Sequence, residues 1–270
     1  MPHPRRAFVF AARVGTEIVS FIVLPMKTLP LLGKTALVTG GARRIGREIA
    51  LALAAVGVDL TITFRNSQAD AEETVRAIEA LGRRALAVAC DVRSEASVRA
   101  AVSAAAAFHG RLDLLVNNAA VFASAPLEQI ALDAWDEIFA TNTRGPFLVA
   151  REALPHLRAT RGRIVNIGSL GGLHAWAGHA HYCASKAALH SLTQAMAKAF
   201  APEVSVNCVA PGWIEMDEER EAESAARFAA KTPLARNGTP VDIAQTVLFF
   251  AAGPSFVTGQ ILAVDGGLGL

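Results

Sequence analysis

The sequence is nearly without tyrosine: Tyr182 is alone in 270 residues. It lacks an excess of either charge, with 26 basic residues against 24 acidic ones. A net +2 is too near neutral for a nucleic-acid or anionic-membrane surface. It has three cysteines, Cys90, Cys183 and Cys208, an odd number without CxxC spacing. That argues against a disulfide framework and fits a reduced, cytoplasmic protein. No Pro/Ser-rich linker divides the chain. What it has is 52% apolar residues and 19% charged ones, a globular rather than a disordered composition.

The first 26 residues, MPHPRRAFVFAARVGTEIVSFIVLPM, combine basic and apolar stretches like a poor signal peptide. Arg13 and Glu17 interrupt the apolar run, and no clean small-residue cleavage site follows. Nothing there approaches the ~20 uninterrupted apolar residues of a spanning helix, so no membrane is expected as a partner. MKTLPLLGKTALVTG enters the fold directly, so Met26 is expected to be the true first residue. Residues 1–32 are then a poorly ordered extension or an over-called start, and 33–270 one catalytic domain.

From residue 33, short apolar runs alternate with longer helical segments. KTALVTG (34–40), VDLTITF (58–64), ALAVACDV (85–92), LDLLVNNA (112–119), RIVNIGS (163–169), VSVNCVAPG (204–212) and QILAVDGG (260–267) read as strands. Residues 44–57, 67–82 and 94–110 read as helices between them, and Thr239 with Pro240 opens another over 239–252. This alternation predicts right-handed βαβ units: an α/β fold with a doubly wound parallel sheet of about seven strands and helices on both faces.

TGGARRIG (39–46) stands between the first of these strands and the first helix, where a dinucleotide pyrophosphate meets a helix N-terminus. Its spacing is TGxxxGxG rather than GxGxxG, with Arg44 where a third glycine would stand. A site for NAD usually ends the second strand in a carboxylate, which would repel a 2′-phosphate. Here that strand runs into Phe64-Arg65-Asn66-Ser67, with no acid until Asp70. Arg65 offers a guanidinium fork to a phosphate, and Arg43 or Arg44 approaches from the glycine turn, so NADP(H) is the expected cofactor. At the other end of the chain, Tyr182 and Lys186 are i and i+4 and share a helix face. A cation beside a phenol favours the phenolate and lowers its pKa from about 10.

TGGARRIG, CDV (90–92), NNAA (117–120), the Asn of TNTRGPF (141–147), Ser169, YCASK (182–186), PGWI (211–214) and VDGG (264–267) occur in one order. In that order the chain, from about 33 to 267, resembles the short-chain dehydrogenase/reductases, whose fold is of Rossmann type. The resemblance implies that Gly40 and Gly46 shape the phosphate turn and Ile45 lies beside the pyrophosphate. Asp91 and Val92 would hold the adenine, Asn117 the sheet's cofactor edge, and Ala119 the ribose side. Pro211, Gly212 and Ile214 would meet the nicotinamide. Tyr182 would be the acid in reduction and the base in oxidation, with Lys186 lowering its pKa and binding the nicotinamide ribose. Ser169 would hydrogen-bond the substrate oxygen, and Asn142 would anchor a water through which Lys186 reaches solvent. A homotetramer, or a homodimer, is implied as well, with a small-molecule carbonyl as substrate and no nucleic acid.

Three functions stay open. The first is an NADPH-dependent ketone reductase of 3-oxoacyl-[acyl-carrier-protein] type. The second is a pteridine reductase, since Arg44 and Phe122, shortly after NNAA, resemble that group, although those enzymes usually carry Asp at the place of Ser169. The third is a non-catalytic NADP-binding sensor, against which the intact Asn142, Ser169, Tyr182 and Lys186 argue. His174 and Trp213 join Phe122 and Ser169 as expected substrate contacts. His174, His179, His181 and Cys183 have HxHxC spacing over 179–183, but they lead into a helix rather than a strand, so no metal is expected. The acids of 213–231 (Glu215, Asp217, Glu218, Glu219, Glu221 and Glu223) fall in the segment that forms the substrate lid in the family.

Overall fold

The computed structural model describes residues 8–14, 17–23, 31–216 and 222–270. Ahead of residue 31, where the sequence predicts no element, β1 (Phe8–Val14) and β2 (Glu17–Val23) pair antiparallel as a separate two-stranded sheet. Met26, the expected first residue, lies outside the described residues.

The remaining strands are β3 (Thr35–Val38), β4 (Asp59–Phe64), β5 (Ala85–Ala89), β6 (Leu114–Asn117), β7 (Arg163–Ile167), β8 (Ser205–Pro211) and β9 (Ile261–Val264). They form one sheet in the order β5-β4-β3-β6-β7-β8-β9, every pair parallel. The helices are α1 (Arg44–Ala55), α2 (Gln68–Ala80), α3 (Glu95–His109), α4 (Leu132–Phe139), α5 (Gly145–Thr160), α6 (Ala180–Ala199), α7 (Ala222–Lys231) and α8 (Pro240–Ala252). Among the described residues no helix is long and apolar enough to cross a membrane.

Two-sided burial explains why the five strands inside the edges, β4, β3, β6, β7 and β8, read as continuous apolar runs rather than alternating ones. Ala36, Val38, Leu114 and Val116 pack with Ile49, Leu53, Ile78, Ile243 and Val247 of α1, α2 and α8. The intervening Leu37 and Leu115 pack with Val98, Val102, Val149, Leu157 and Met196 of α3, α5 and α6. Each fully buried Leu or Ile contributes roughly 1.5–3 kcal/mol, so these two layers outweigh any cap or surface ion pair. Caps set the ends: Thr239 and Asp242 form a reciprocal capping box at α8, with Pro240 at its first position.

The chain reverses direction across the sheet between β3 and β6. From β3 it winds outward through β4 to β5, then returns to place β6 on the other side of β3. Helices leave the two middle strands on opposite faces, and a crevice opens at their carboxyl ends.

Candidate active site

The crevice begins at the turn after β3. Gly40 has φ +63°, and a Cβ there would come within 3.0 Å of Ala119 Cα. A Cβ on Gly46 would lie 2.2 Å from the Gly40 carbonyl oxygen and 2.5 Å from Asn118 Nδ2, so only glycine lets α1 start this close to the strand. Asn118 braces the turn, its Nδ2 donating to the Thr39 and Gly40 carbonyls at 3.0 Å each. The amides of Asn118 and Ala119 donate to Thr39 Oγ1 at 3.0 and 3.1 Å. Sequence reasoning missed Thr39 and Asn118, although both stand inside the TG and NNAA motifs. Arg43, at the N-cap of α1, makes no side-chain cap, so the first-turn N–H groups remain for an incoming anion.

Gly40, Arg43, Arg44, Ile45, Gly46, Arg65, Asn66, Ser67, Asp91, Val92, Ala119 and Phe122 line one cleft of about 400 Å³. The turn after β3 and the ends of β4, β5 and β6 bring them together. Asn117 is elsewhere: its Nδ2 donates to Asn166 Oδ1 at 2.9 Å inside the sheet, below the cleft. Ile214 packs into the core and bridges to Gly238, and Gly212 backs onto Asp265. These three and Pro211 do not line the cleft, because the chain after β8 turns inward there. Asp91 lines the cleft with its carboxylate already paired. Arg93 holds it at 2.6–3.1 Å through three hydrogen bonds, which keep that carboxyl below the ordinary range.

Tyr182 lies in the first turn of α6, half-buried, with the Ser169 side chain at the end of β7 near enough to its phenol to draw the pKa down against burial. Ser169 Oγ also accepts the Gly171 amide at 3.0 Å, which orients its hydroxyl. One turn on, Lys186 is 3% exposed and its Nζ donates to the Ile167 carbonyl at 2.8 Å. The ammonium sits 5.9 Å from the centre of the Tyr182 ring. Burial brings the lysine pKa down to about 8. The expected lowering of the phenol's pKa by Lys186 is not found in this structure: burial raises it, and Ser169 only partly offsets that. Lys186 gives one of its three N–H donors to the backbone of β7.

Asn142 is 1% exposed, in a π-helical turn (Ala140–Arg144) between α4 and α5. Such a turn re-aims a side chain inside an otherwise helical run. Its amide takes the Val121 amide and gives to the Val121 carbonyl, both at 2.9 Å, and gives to Ser185 Oγ at 3.1 Å. Ser185 Oγ donates in turn to the Tyr182 carbonyl at 2.7 Å. Asn142 thus ties the NNAA loop to the Tyr182 turn, a joint the expectation of a water anchor did not include.

Phe122 is 60% exposed at the cleft mouth, stacked on His179 at 4.8 Å and edge-on to Tyr182 at 4.8 Å. Trp176 lies nearly parallel to the Tyr182 ring at 6.5 Å. Trp213 stacks on Phe228 of α7 at 4.2 Å, away from the phenol's immediate neighbours, and His174 lies beside Gly269. His181 and Cys183 are buried while His179 Nδ1 faces the Ala123 carbonyl, so the HxHxC residues diverge along the helix start. Among the described residues no three His, Cys, Asp or Glu side chains are placed to hold a metal. Asp217, Glu218, Glu219 and Glu221 lie outside the described residues.

A family model described as enoyl-(acyl carrier protein) reductase matches residues 40–269. The 3-oxoacyl-[acyl-carrier-protein] reductase FabG of Staphylococcus aureus is 37% identical over 240 residues, covering 87% of this chain and 98% of that protein. Hydroxynaphthalene reductase arp2 of Aspergillus fumigatus is 36% identical over 252 residues, covering 87% and 92%. Among solved structures, a short chain dehydrogenase from Burkholderia cenocepacia in complex with NADP superposes with a TM-score of 0.85 at 39% identity, covering 89% of this chain and all of that one.

Proposed function

The chain belongs to the short-chain dehydrogenase/reductase family, and on that premise we propose that it reduces a ketone with NADPH through Tyr182, Ser169, Lys186 and Asn142. The observation that carries this reading is the gathering of Ser169, Tyr182 and the buried Lys186, whose ammonium lies 5.9 Å from the centre of the Tyr182 ring, at the carboxyl edge that also holds the glycine turn. The cradle left by Gly40 and Gly46, and the arginines at its rim, fit a dinucleotide bearing a 2′-phosphate.

NADPH supplies the hydride when bound. As negative charge develops on the substrate oxygen, Tyr182 gives it the phenolic proton and Ser169 donates a hydrogen bond to the same oxygen. A phenol whose pKa burial has raised is fully protonated at neutral pH and is in the form that reduction requires. Lys186 gives one N–H to the Ile167 carbonyl, and its remaining N–H groups would bind the nicotinamide ribose, the role the resemblance implies. Asn142 is a positioning residue: through Ser185 it holds the backbone of Tyr182, and through Val121 the loop beside the cleft.

The substrate we propose is of 3-oxoacyl type, which the likeness to the Staphylococcus aureus reductase supports. A second reading, a pterin, rests on the exposed ring of Phe122 beside Tyr182. Loss of NADPH absorbance with acetoacetyl thioesters and with dihydrobiopterin, with NADH alongside, separates them. Reduction of the thioester is expected; reduction of the pterin alone overturns the first reading, and no oxidation with any of a broad carbonyl panel overturns both. The homotetramer implied by the resemblance is also a proposal. Light scattering tests it, and the exposed Phe147, Phe249 and Phe256 are side chains such contacts would cover.

A further inference from the structure

The rim of the cleft at the ends of β4 and β5 is an ion network that reaches a helix outside the nucleotide motifs. Glu137 of α4 takes Arg93 Nη1 at 3.1 Å, and Arg65 Nη1 lies 3.8 Å from the same Oε1. Arg93 is in turn held by Asp91. Two guanidinium groups and two carboxylates therefore cancel. Arg65, one of three arginines that line the cleft, has a carboxylate as its counter-ion. At 3.8 Å that contact is too long to be a hydrogen bond, so Glu137 attracts Arg65 without fixing its orientation. Glu137 is about half exposed, and its closer partner is Arg93.

We propose that Glu137 is a specificity-determining residue that restrains this chain's preference for NADPH over NADH, by opposing the 2′-phosphate at Arg65. The inference rests on the NADP(H) reading of the cleft. A dianionic phosphate beside Arg65 is repelled by Glu137, whereas NADH, which has no phosphate there, is not. The expected size follows from Coulomb's law: a unit charge acting on a dianion several ångströms away in a water-like medium is worth about 3- to 10-fold in affinity. The effect shrinks with salt, because these groups are exposed.

The test is the dissociation constants of NADPH and NADH, read by cofactor fluorescence, for the wild type, Glu137→Gln, Arg65→Gln and the double variant. Glu137→Gln is expected to tighten NADPH by about 3- to 10-fold and NADH by less than about twofold. In the Arg65→Gln background that gain should persist, because Glu137 repels the phosphate whether or not the guanidinium is present. A Glu137→Gln protein that binds both cofactors equally tighter, or NADPH no tighter, overturns the proposal, as does a gain that is lost in the Arg65→Gln background. A wild-type protein that binds NADH and not NADPH sinks the cofactor reading itself, which is a separate result.

Discussion

The two edges of the sheet use the same kinds of side chain in opposite ways. At the amino edge Asp113 is 7% exposed and receives Lys34 Nζ at 3.0 Å, Arg111 Nη2 at 2.6 Å and the Thr35 amide at 3.1 Å. Arg163 spends its guanidinium on the Phe250 and Gly253 carbonyls at 2.6 and 3.0 Å. Charge there is absorbed into closing the fold. At the carboxyl edge the side chains that meet solvent line a cleft, and glycine replaces side chains where the backbone must come close. The lesson is that capacity left for a ligand, rather than residue type, separates a site from a brace.

The comparison breaks most sharply at Tyr182. Tyr182→Phe should lower turnover about 10³-fold while the NADPH dissociation constant changes less than about twofold. Turnover within a few-fold of wild type would show that the carboxyl edge does not work through the phenol. At the opposite edge, Asp113→Ala should lower unfolding free energy by about 3 kcal/mol and leave kcat per folded molecule unchanged. Urea titration reads the first quantity, and a matching fall in kcat would erase the distinction between edges.

Burial pushes the Asp113 carboxyl up, but Arg111, Lys34 and the Thr35 amide together hold it below its ordinary value. Its contribution to stability is therefore present above about pH 4 and is lost as pH falls through the lower folded value.

Gly46→Ala should weaken NADPH by at least about tenfold, or about 1.4 kcal/mol, since its Cβ would meet the Gly40 carbonyl and Asn118. Unchanged binding in equilibrium titration would mean that the turn has room the structure denies it. The smallest effect sharpens the carboxyl edge alone. Lys186 keeps its charge below about pH 8 and loses it above, while Tyr182 stays protonated. The kcat/KM for reduction should hold to about pH 8 and then fall with rising pH; a profile flat to pH 10 would remove Lys186 from the chemistry.

Much of the fold was legible in the sequence. Apolar runs of strand length at 34–40, 58–64, 85–92, 112–119, 163–169, 204–212 and 260–267 all became strands of the one sheet, and the five between the edge strands are buried on both faces and carry no polar alternation to mislead a reader. The glycine turn was legible for a similar reason: Gly40 and Gly46 answer to local backbone geometry. The π-helical turn at Ala140–Arg144 was not, since nothing in ATNTR distinguishes it from an ordinary helical turn. Thr39 and Asn118 were passed over because their work is to satisfy carbonyls and amides of a strand nearly 80 residues away, a relation without sequence spacing.

Sequence alone determined the kind of sheet, the glycine turn and the placement of Tyr182 one helical turn before Lys186, because each follows from residues close together in the chain. Tertiary structure decided what those groups face. It buried the Tyr182 phenol, so that its pKa rises where proximity to Lys186 along the helix predicted a fall. It withdrew Ile214 and Asn117 into the core, and it brought Glu137 of α4 to the arginine at the end of β4. Desolvation and the pairing of charges from distant segments are properties of packed neighbours, and only the folded chain assigns them.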